Sequence, residues 1–255
     1  MQPSQSTDSQ VRLKAEGFPT APLIEAIMEI QFEGGLTADE SKACADALGH
    51  HYATCSESKQ TAFMYDVETT ELNVDDLRAI YRLEGTDDTE ISSIRTNGIA
   101  VSQLAPYRSW EKLFERLKRD LSVIDNVIGT RLAVRLGVRF INRIDVPLDD
   151  NRIAEHERYL AAHVRLPASI PSVMNFYFNV HIPVPEVAGV AIVQSGVLPP
   201  AIEGKASFSL DIDLSRTHDL AVERNILMTQ LSEFQEPKNG LYRQLLTEKA
   251  LEEFS

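Results

Sequence analysis

Arginines recur at every fourth position between residues 131 and 143, and this spacing limits the chemistry that they can support. Alternate residues of a β-strand share one face, so the polar side of a strand here would carry Arg135, Arg139 and Arg143 in a row. A guanidinium group binds a carboxylate or a phosphate through paired hydrogen bonds. The row therefore predicts a binding site for an anionic ligand.

An internal role for the same arginines fits the sequence at least as well. Glu25, Glu29 and Glu33 repeat with the same four-residue spacing, and Asp211 and Asp213 lie on the polar side of another predicted strand. Opposite charges at facing strand positions stabilise a sheet by about 0.2–1 kcal/mol per pair. A ladder of internal salt bridges and a ligand site thus remain open as alternatives.

The acidic residues also permit a metal site. Asp211 and Asp213, together with Glu25 or Glu29, could hold Mg²⁺ through carboxylate oxygens for chemistry on phosphate compounds or nucleic acid. However, the sequence around them matches no nuclease or polymerase motif, and no phosphate-binding loop or nucleophile elbow occurs. The leading interpretation therefore includes no metal, no cofactor and no catalytic residue, and a metal-dependent enzyme is the alternative.

Two aromatic residues precede or begin a predicted helix and are candidates for contact with a partner. Trp110 is the only tryptophan, and Tyr107 lies three residues before it. Trp110 could fill a pocket of a partner protein, since tryptophan is enriched at interfaces. It also falls on the apolar stripe of the helix with Leu113 and Phe114, which favours packing in the core.

The elements that would position these residues predict an α+β fold. Alternating apolar residues indicate strands at 22–33 and 131–146, and we expect these two strands to be neighbours with their charged residues on the same face. Thr37 and Glu40 form a capping box before a helix at 38–49. The whole pattern predicts a curved, mainly antiparallel sheet with long amphipathic helices packed on one face.

Further elements follow from the same periodicities and from turn residues. Asn97-Gly98 predicts a hairpin within 90–104, and Ser109 is a candidate cap for a helix at 109–126. The remaining predictions are strands at 61–69, 77–84, 173–182, 187–195 and 207–214, a helix at 151–163, and C-terminal helices at 218–235 and 239–254 separated by Pro237 and Gly240.

The order of the elements suggests a simple domain organisation. Residues 1–18 are polar and predict a disordered lead, and residues 19–255 predict a single α+β domain. Several strands followed by a long helix occur twice, so the domain is expected to contain two sheet-plus-helix halves, 19–128 and 129–255.

Composition excludes several classes of function. A formal net charge of −13 argues against general nucleic-acid binding, which depends on lysine and arginine. No apolar run reaches the roughly 18 residues that a membrane span requires. The N-terminus has no signal pattern and Cys44 and Cys55 are expected to be free thiols, so the sequence predicts a cytoplasmic protein.

Three stretches in this order resemble a sporadically distributed family of uncharacterised bacterial and archaeal proteins of about this length. They are PLIEAIMEIQF (22–32), LAPYRSWEKLF (104–114) and RLGVRFINRI (135–144). The resemblance extends more loosely to SLDIDL (209–214) and the C-terminal helices. It implies a prokaryotic protein, and the patchy distribution of the family is similar to that of mobile or defence-associated genes. It implies no activity, cofactor or catalytic residue.

These observations together predict a non-catalytic binding, regulatory or accessory module. Its expected partner is another protein or a small anionic ligand, and neither nucleic acid in general nor a membrane is expected to bind it. The candidate residues for an anion are Arg135, Arg139 and Arg143.

Overall fold

The computed structural model describes residues 22–66, 71–148, 154–167, 169 and 175–253, and for 59–66, 71–80 and 253 it describes the backbone alone. The predicted disordered lead, residues 1–18, lies outside the described residues. The strands are β1 (Leu23–Phe32), β2 (Thr54–Asp66), β3 (Glu71–Glu84), β4 (Glu90–Arg95), β5 (Gly98–Leu104), β6 (Ala133–Pro147), β7 (Tyr177–Val184), β8 (Gly189–Leu198) and β9 (Lys205–Arg216). The α-helices are α1 (Ala38–Leu48), α2 (Trp110–Ile128), α3 (Arg224–Ser232), α4 (Gln235–Leu245) and α5 (Glu248–Glu253).

All nine of these strands form one antiparallel sheet in the order β2-β3-β4-β5-β1-β6-β9-β8-β7. The two strands expected to be neighbours, β1 and β6, lie side by side at the centre, with Glu29 opposite Gly137. The α+β class and the mainly antiparallel sheet are therefore confirmed.

The two faces of the sheet differ in chemistry because apolar and polar residues alternate along the central strands. The even-numbered residues of β1 from Ala26 and of β6 from Leu136 are buried. The apolar ones from Ala26 to Phe32 and from Leu136 to Phe140 pack with apolar residues of α2 in one core cluster, which also contains residues of α1 and α3. Ile144 and Val146 belong to a second cluster with residues of β8, β9, α4 and α5. The odd-numbered residues of β1 and β6 occupy the opposite side, which we term the open face.

The first two helices begin where the sequence predicts. Thr37 and Glu40 form the reciprocal hydrogen bonds of a capping box before α1, and the hydroxyl of Ser109 accepts a hydrogen bond from the backbone N–H of Lys112 at the start of α2. The expectation of long helices is wrong in general. Only α2 reaches 19 residues, and the other α-helices have 6 to 11 residues.

Other differences concern the C-terminal half. Of the helix expected at 151–163, the described part contains only a 3₁₀ turn, His156–Arg158. The helix expected at 218–235 begins only at Arg224. Pro237 and Gly240 do not separate two helices, because both lie within α4. The breaks fall instead near Phe234 and Leu246, and proline is compatible with the first turn of a helix, where its missing N–H needs no partner.

The hairpin predicted from Asn97-Gly98 joins β4 to β5. Arg95 lies opposite Gly98, so the loop consists of Thr96 and Asn97. Gly98 has φ of 154° and a Cβ at this position would lie 2.1 Å from the carbonyl oxygen of Ile30 in β1. Among the described residues, no helix is both long enough and apolar enough to cross a membrane.

Candidate anion-binding site

The arginine row lies on the open face of β6, between β1 and β9. Arg139 is directly opposite Asp213 of β9, and Ile141 is opposite Asp211. Residues directly opposite in an antiparallel pair share a face, so the two aspartates and the arginines lie on the same side of the sheet. The sheet therefore assembles the predicted basic and acidic residues into one network.

Arg139 and Asp211 form the best-aligned ion pair of this network. The Arg139 Nε lies 2.9 Å from Asp211 Oδ1, and its Nη2 lies 2.5 Å from Oδ2. This geometry is bidentate, which is the strongest arrangement of a guanidinium and a carboxylate. The hydrogen bonds that Arg139 donates to the Asp211 carboxylate raise the pKa of Arg139, so the cation is stabilised.

A second pair joins Arg135 to Asp213. One terminal nitrogen of Arg135, Nη2, lies 2.8 Å from Asp213 Oδ1 and 2.9 Å from Oδ2. Burial raises the pKa of Asp213, and the nearby arginines oppose that effect only in part. Two of the three predicted arginines therefore bind the aspartates that the metal interpretation requires.

The glutamates of β1 contribute less to the ladder than their spacing predicts. Glu29 is 3.5 Å from Arg135 Nη1 and 3.5 Å from Arg95 Nη1, which is the outer limit for a useful contact. Gln31 also donates a hydrogen bond to Glu29. The salt-bridge ladder thus runs mainly from β6 to β9, with one weak branch to β1.

Arg143, the third predicted arginine, lies in a separate group of contacts. Its Nε is 3.2 Å from Asp145 Oδ1, and its Nη2 is 3.0 Å from the hydroxyl of Ser207. Nη2 also donates to the carbonyl oxygen of Pro199. Arg143 therefore connects the loop after β8 to β6, and its contacts on the open face are separate from those of Arg135 and Arg139.

A shallow depression opens among the paired residues on the open face. It is lined by Ile27, Glu29, Arg95, Arg135, Gly137, Arg139 and Asp213. Gly137 has no side chain, and a Cβ there would lie 2.3 Å from Arg135 Nη1. The glycine in the middle of β6 therefore leaves the space that the Arg135 guanidinium occupies.

Sequence reasoning missed Arg95, which has the weakest hydrogen bonds and ion pairs of the arginines in the depression. Among the described residues its sole ion pair is the 3.5 Å contact with Glu29, and its Nε is buried without a hydrogen-bond partner. A buried donor without a partner costs about 1–3 kcal/mol. Arg95 lies on β4, and β5 lies between β4 and β1 in the sheet. The position of Arg95 in the depression therefore follows only from the strand order.

Charges in the depression are nearly balanced. Three arginines and two carboxylates line it, which leaves one positive charge, and Asp211 at its margin cancels that charge. A dianion would therefore meet a neutral network, whereas a ligand with a single negative charge and a few hydrogen-bond acceptors would be tolerated better.

The residues proposed for a metal ion are occupied by other contacts. Both carboxylate oxygens of Asp211 accept from Arg139, and both of Asp213 accept from Arg135. A divalent cation would have to displace these guanidinium groups. In the described part of the chain, no group of three His, Cys, Asp or Glu residues has the geometry to hold a metal ion.

Tyr107 and Trp110 lie on the helix-covered side of the sheet and contact Phe140 of β6. The Trp110 ring is 7% exposed and stacks on Phe140 with ring centroids 6.5 Å apart. Tyr107 meets the same ring edge-on at 5.9 Å. This location agrees with packing in the core, since a partner could not reach the Trp110 ring without displacing its neighbours.

Lys238 of α4 completes this aromatic group and was not identified from the sequence. Its Nζ lies 3.8 Å from the centroid of Phe140 and 5.9 Å from that of Trp110. The residue is 8% exposed, and burial lowers the pKa of Lys238 to about 7. Within the described residues its ammonium group has no ion pair, so aromatic rings are its main contacts.

Comparison with known proteins adds little to this geometry. No family model matches the chain, and no curated protein matches it. Among solved structures, the Methanococcus jannaschii TBP aligns with 86% of this chain and 99% of its own, at 9% sequence identity and a TM-score of 0.28. A TM-score this low supports no inference about function.

Proposed function

We propose that this protein is a non-catalytic binding module that holds a small anion of the carboxylate class in the depression on the open face. Arg95, Arg135 and Arg139 would provide the hydrogen-bond donors. Binding at this face would make the protein a regulatory or accessory component, with the ligand as its signal.

Arg95 is the observation that carries the proposal. Its buried Nε has no hydrogen-bond partner within the described chain, and its only carboxylate contact is long, at 3.5 Å. An anionic oxygen placed beside this guanidinium would satisfy donors that the folded chain leaves unused. The Arg95 side chain is 38% exposed, so it is able to turn toward a ligand.

The other two arginines would position the ligand while keeping their internal partners. Arg139 bonds to Asp211 through Nε and Nη2, which leaves Nη1 for an incoming oxygen. The Arg135 Nη1 has only the 3.5 Å contact with Glu29. Because the whole network is close to neutral, a monovalent carboxylate suits it better than a phosphate dianion.

A metal-dependent enzyme acting on phosphate compounds is less well supported. Asp211 and Asp213 direct their oxygens to arginines, and those pairs would have to break before a metal could bind. The cytosol is the proposed location, and Cys44 and Cys55, which are both free thiols, agree with a reducing compartment.

A titration with sodium acetate tests the site. Acetate would be added at constant ionic strength, with sodium chloride as the balancing salt, while calorimetry or thermal unfolding is recorded. A ligand at 100 times its Kd stabilises the folded state by about 2.7 kcal/mol. Arg95→Gln should weaken acetate binding about tenfold, the equivalent of about 1.4 kcal/mol.

Arg82→Gln is the matched control. Arg82 also lies on the open face, but it pairs with Glu84 at 2.6 Å and is outside the depression. This variant should bind acetate like the wild type. The proposal is wrong if acetate does not bind the wild-type protein. It is also wrong if Arg95→Gln binds acetate as tightly as the wild type and Arg82→Gln do. Tighter binding of inorganic phosphate than of acetate would contradict the assignment of the carboxylate class.

We further propose that the sheet consists of two related halves, residues 19–128 and 129–255. The strand order supports this division. The first strand of each half, β1 or β6, lies at the centre of the sheet, and it pairs with the last strand of its own half, β5 or β9. Expression of each half alone tests the proposal, because two related units would each form soluble folded protein or recombine when mixed.

A further inference from the structure

Among the described residues, the strand β7 forms one edge of the sheet. It is the last strand in the sheet order, and β8 is the one described strand that pairs with it. Five of its eight residues are exposed, including Tyr177 at 65% and Val180 at 43%. Edge strands of this kind present a row of unpaired backbone N–H and C=O groups.

The hydrogen-bond pattern determines which residues point outward. The backbone N–H of Val197 donates to the carbonyl oxygen of Phe176, just before β7. Hydrogen-bonded and non-bonded pairs alternate in an antiparallel ladder, so the even-numbered residues of β7 bond to β8. Tyr177, Asn179 and His181 therefore direct their N–H and C=O groups outward. Pro183 also occupies an outward position, where its missing N–H costs no bond to β8.

Edge strands are usually protected by charged side chains or irregularities. The stretch YFNVHI, residues 177–182, contains no Asp, Glu, Lys or Arg, although the chain has a net charge of −13. The net charge of −13 makes two copies of this protein repel one another. An uncharged strand at the edge is a place where two copies can meet without opposing like charges.

We propose that β7 pairs antiparallel with β7 of a second copy of this chain, across a twofold axis perpendicular to the sheet. Asn179 would lie on the axis opposite Asn179 of the partner subunit, and Tyr177 would lie opposite His181 of the partner subunit. This proposal goes beyond the proposed anion site and does not depend on it.

The register follows from the outward groups. A twofold axis perpendicular to the sheet pairs residues of equal face, so the axis passes between one residue of β7 and the same residue of the second copy. With the axis at Asn179, Tyr177, Asn179 and His181 each exchange both N–H···O bonds with their partners. With Val180 on the axis, Tyr177 would face the partner's Pro183, and the Tyr177 carbonyl group would find no donor. The axis at Asn179 therefore satisfies more of the backbone.

The paired sheets would run continuously through the dimer. A perpendicular axis keeps the helices of both copies on the same side and places both open faces on the other. The helix-side face of the junction would bring Phe178 next to Val180 of the partner subunit, which buries apolar area that one copy exposes.

Oligomeric state and crosslinking test the proposal. The full chain should be a dimer by light scattering or sedimentation. Asn179→Lys should raise the dimer dissociation constant roughly tenfold or more, because two ammonium groups would meet on the axis. Ser122→Lys, which adds the same charge at an exposed position of α2, should leave the dimer intact. Circular dichroism and melting temperature would verify that both variants are folded.

Cysteine variants on a Cys55→Ser background test the register. Under mild oxidation, Asn179→Cys should form a covalent dimer faster than Val180→Cys, whose mate would be displaced along the strand. A monomeric wild type, or a dimer that Asn179→Lys leaves unchanged, overturns the proposal. Faster crosslinking of Val180→Cys overturns the assigned register.

Discussion

Lys238 has an unusual environment for an amine, because it lies against aromatic rings instead of a carboxylate. Its Nζ is 3.8 Å from the Phe140 centroid, and a cation in this position gains about 2 kcal/mol or more when it is desolvated. Loss of water opposes this gain, and its effect is larger, because burial lowers the pKa to about 7. The amine therefore titrates near neutral pH.

Stability should consequently depend on pH through Lys238. Between about pH 7 and 10.5 the unfolded chain keeps a proton on this amine and the folded chain does not, so the free energy of unfolding should rise with pH. The limiting slope for one proton is about 1.4 kcal/mol per pH unit. Urea unfolding at several pH values measures this slope.

Lys238→Met should remove the slope, because methionine fills a similar volume without a titrating group. Lys112→Met, at an exposed position of α2, serves as the control and should keep the wild-type slope. If the Lys238→Met protein follows the same pH dependence as the wild type, the amine is not buried as described.

Arg139 should be coupled more strongly to Asp211 than to Glu29. The matching four-residue spacing of the arginines and the glutamates would permit a pair between Arg139 and Glu29, yet Glu29 contacts Arg95 and Arg135. A double-mutant cycle with Arg139→Gln and Asp211→Asn should give a coupling energy of about 1 kcal/mol, since the pair is bidentate but partly exposed.

The parallel cycle with Arg139→Gln and Glu29→Gln is the matched comparison. Its coupling energy should be smaller than that of the Arg139–Asp211 pair, because among the described residues no ion pair joins Arg139 to Glu29. The two cycles share the wild type and Arg139→Gln, so urea unfolding of six proteins measures both. A larger coupling to Glu29 than to Asp211 would contradict the network described for the open face.

Elements whose ends carry specific side-chain hydrogen bonds were predictable from the sequence. The capping residues Thr37 and Ser109 define the starts of α1 and α2 to within a residue. The C-terminal helices were less predictable, because α3 and α4 have no side-chain cap at their first residues. Pro237 then misled the assignment, since proline is allowed in the first turn of a helix and excluded only further inside.

The hairpin between β4 and β5 depends on Gly98, which also approaches β1 closely. A Cβ there would lie 2.1 Å from the Ile30 carbonyl oxygen and 2.8 Å from Gln31 Cα, and these backbone atoms cannot move aside freely. Gly98→Ala should therefore destabilise the protein by about 1–3 kcal/mol through overpacking, beyond any cost of its φ of 154°.

Gly129→Ala separates the two effects. Gly129 has φ of 75° but nothing within 4 Å of an added Cβ, so it reports the conformational cost alone. Thermal and urea unfolding of both variants should show the larger loss for Gly98→Ala. Equal losses would mean that β1 is free to move away from the hairpin.

At the scale of the whole molecule, periodicity identified the faces of the strands but not all of their neighbours. The pairing of β1 with β6 was predictable, because both have matching apolar and charged faces. Each central strand has a second neighbour, however, and β9 provides the stronger partners for the arginines. Spacing along one strand does not show which of its two neighbouring strands supplies the partner of a given side chain. The contact of Asp211 with Arg139 and the position of Arg95 beside Glu29 therefore become apparent only from the strand order.

The net charge of −13 sets the response of the whole fold to salt. Repulsion among unpaired carboxylates acts across the molecule at 0.01 M salt, where the Debye length is about 30 Å, and is confined to about 10 Å at 0.1 M. A chain of this length has a radius of gyration of about 18 Å, which lies between these two Debye lengths. The change in salt therefore alters the screening of most pairs of charges. The ion pairs on the open face are short and partly buried, and they are screened less.

Raising sodium chloride from about 0.01 to 0.15 M at pH 7 should therefore stabilise the protein by about 1 kcal/mol, or about 2–4 °C in melting temperature. The variant with both Arg139→Gln and Asp211→Asn keeps the same net charge and should show the same rise. A fall in melting temperature with salt would contradict this balance, because it would require the short ion pairs to outweigh the repulsion of the whole acidic surface.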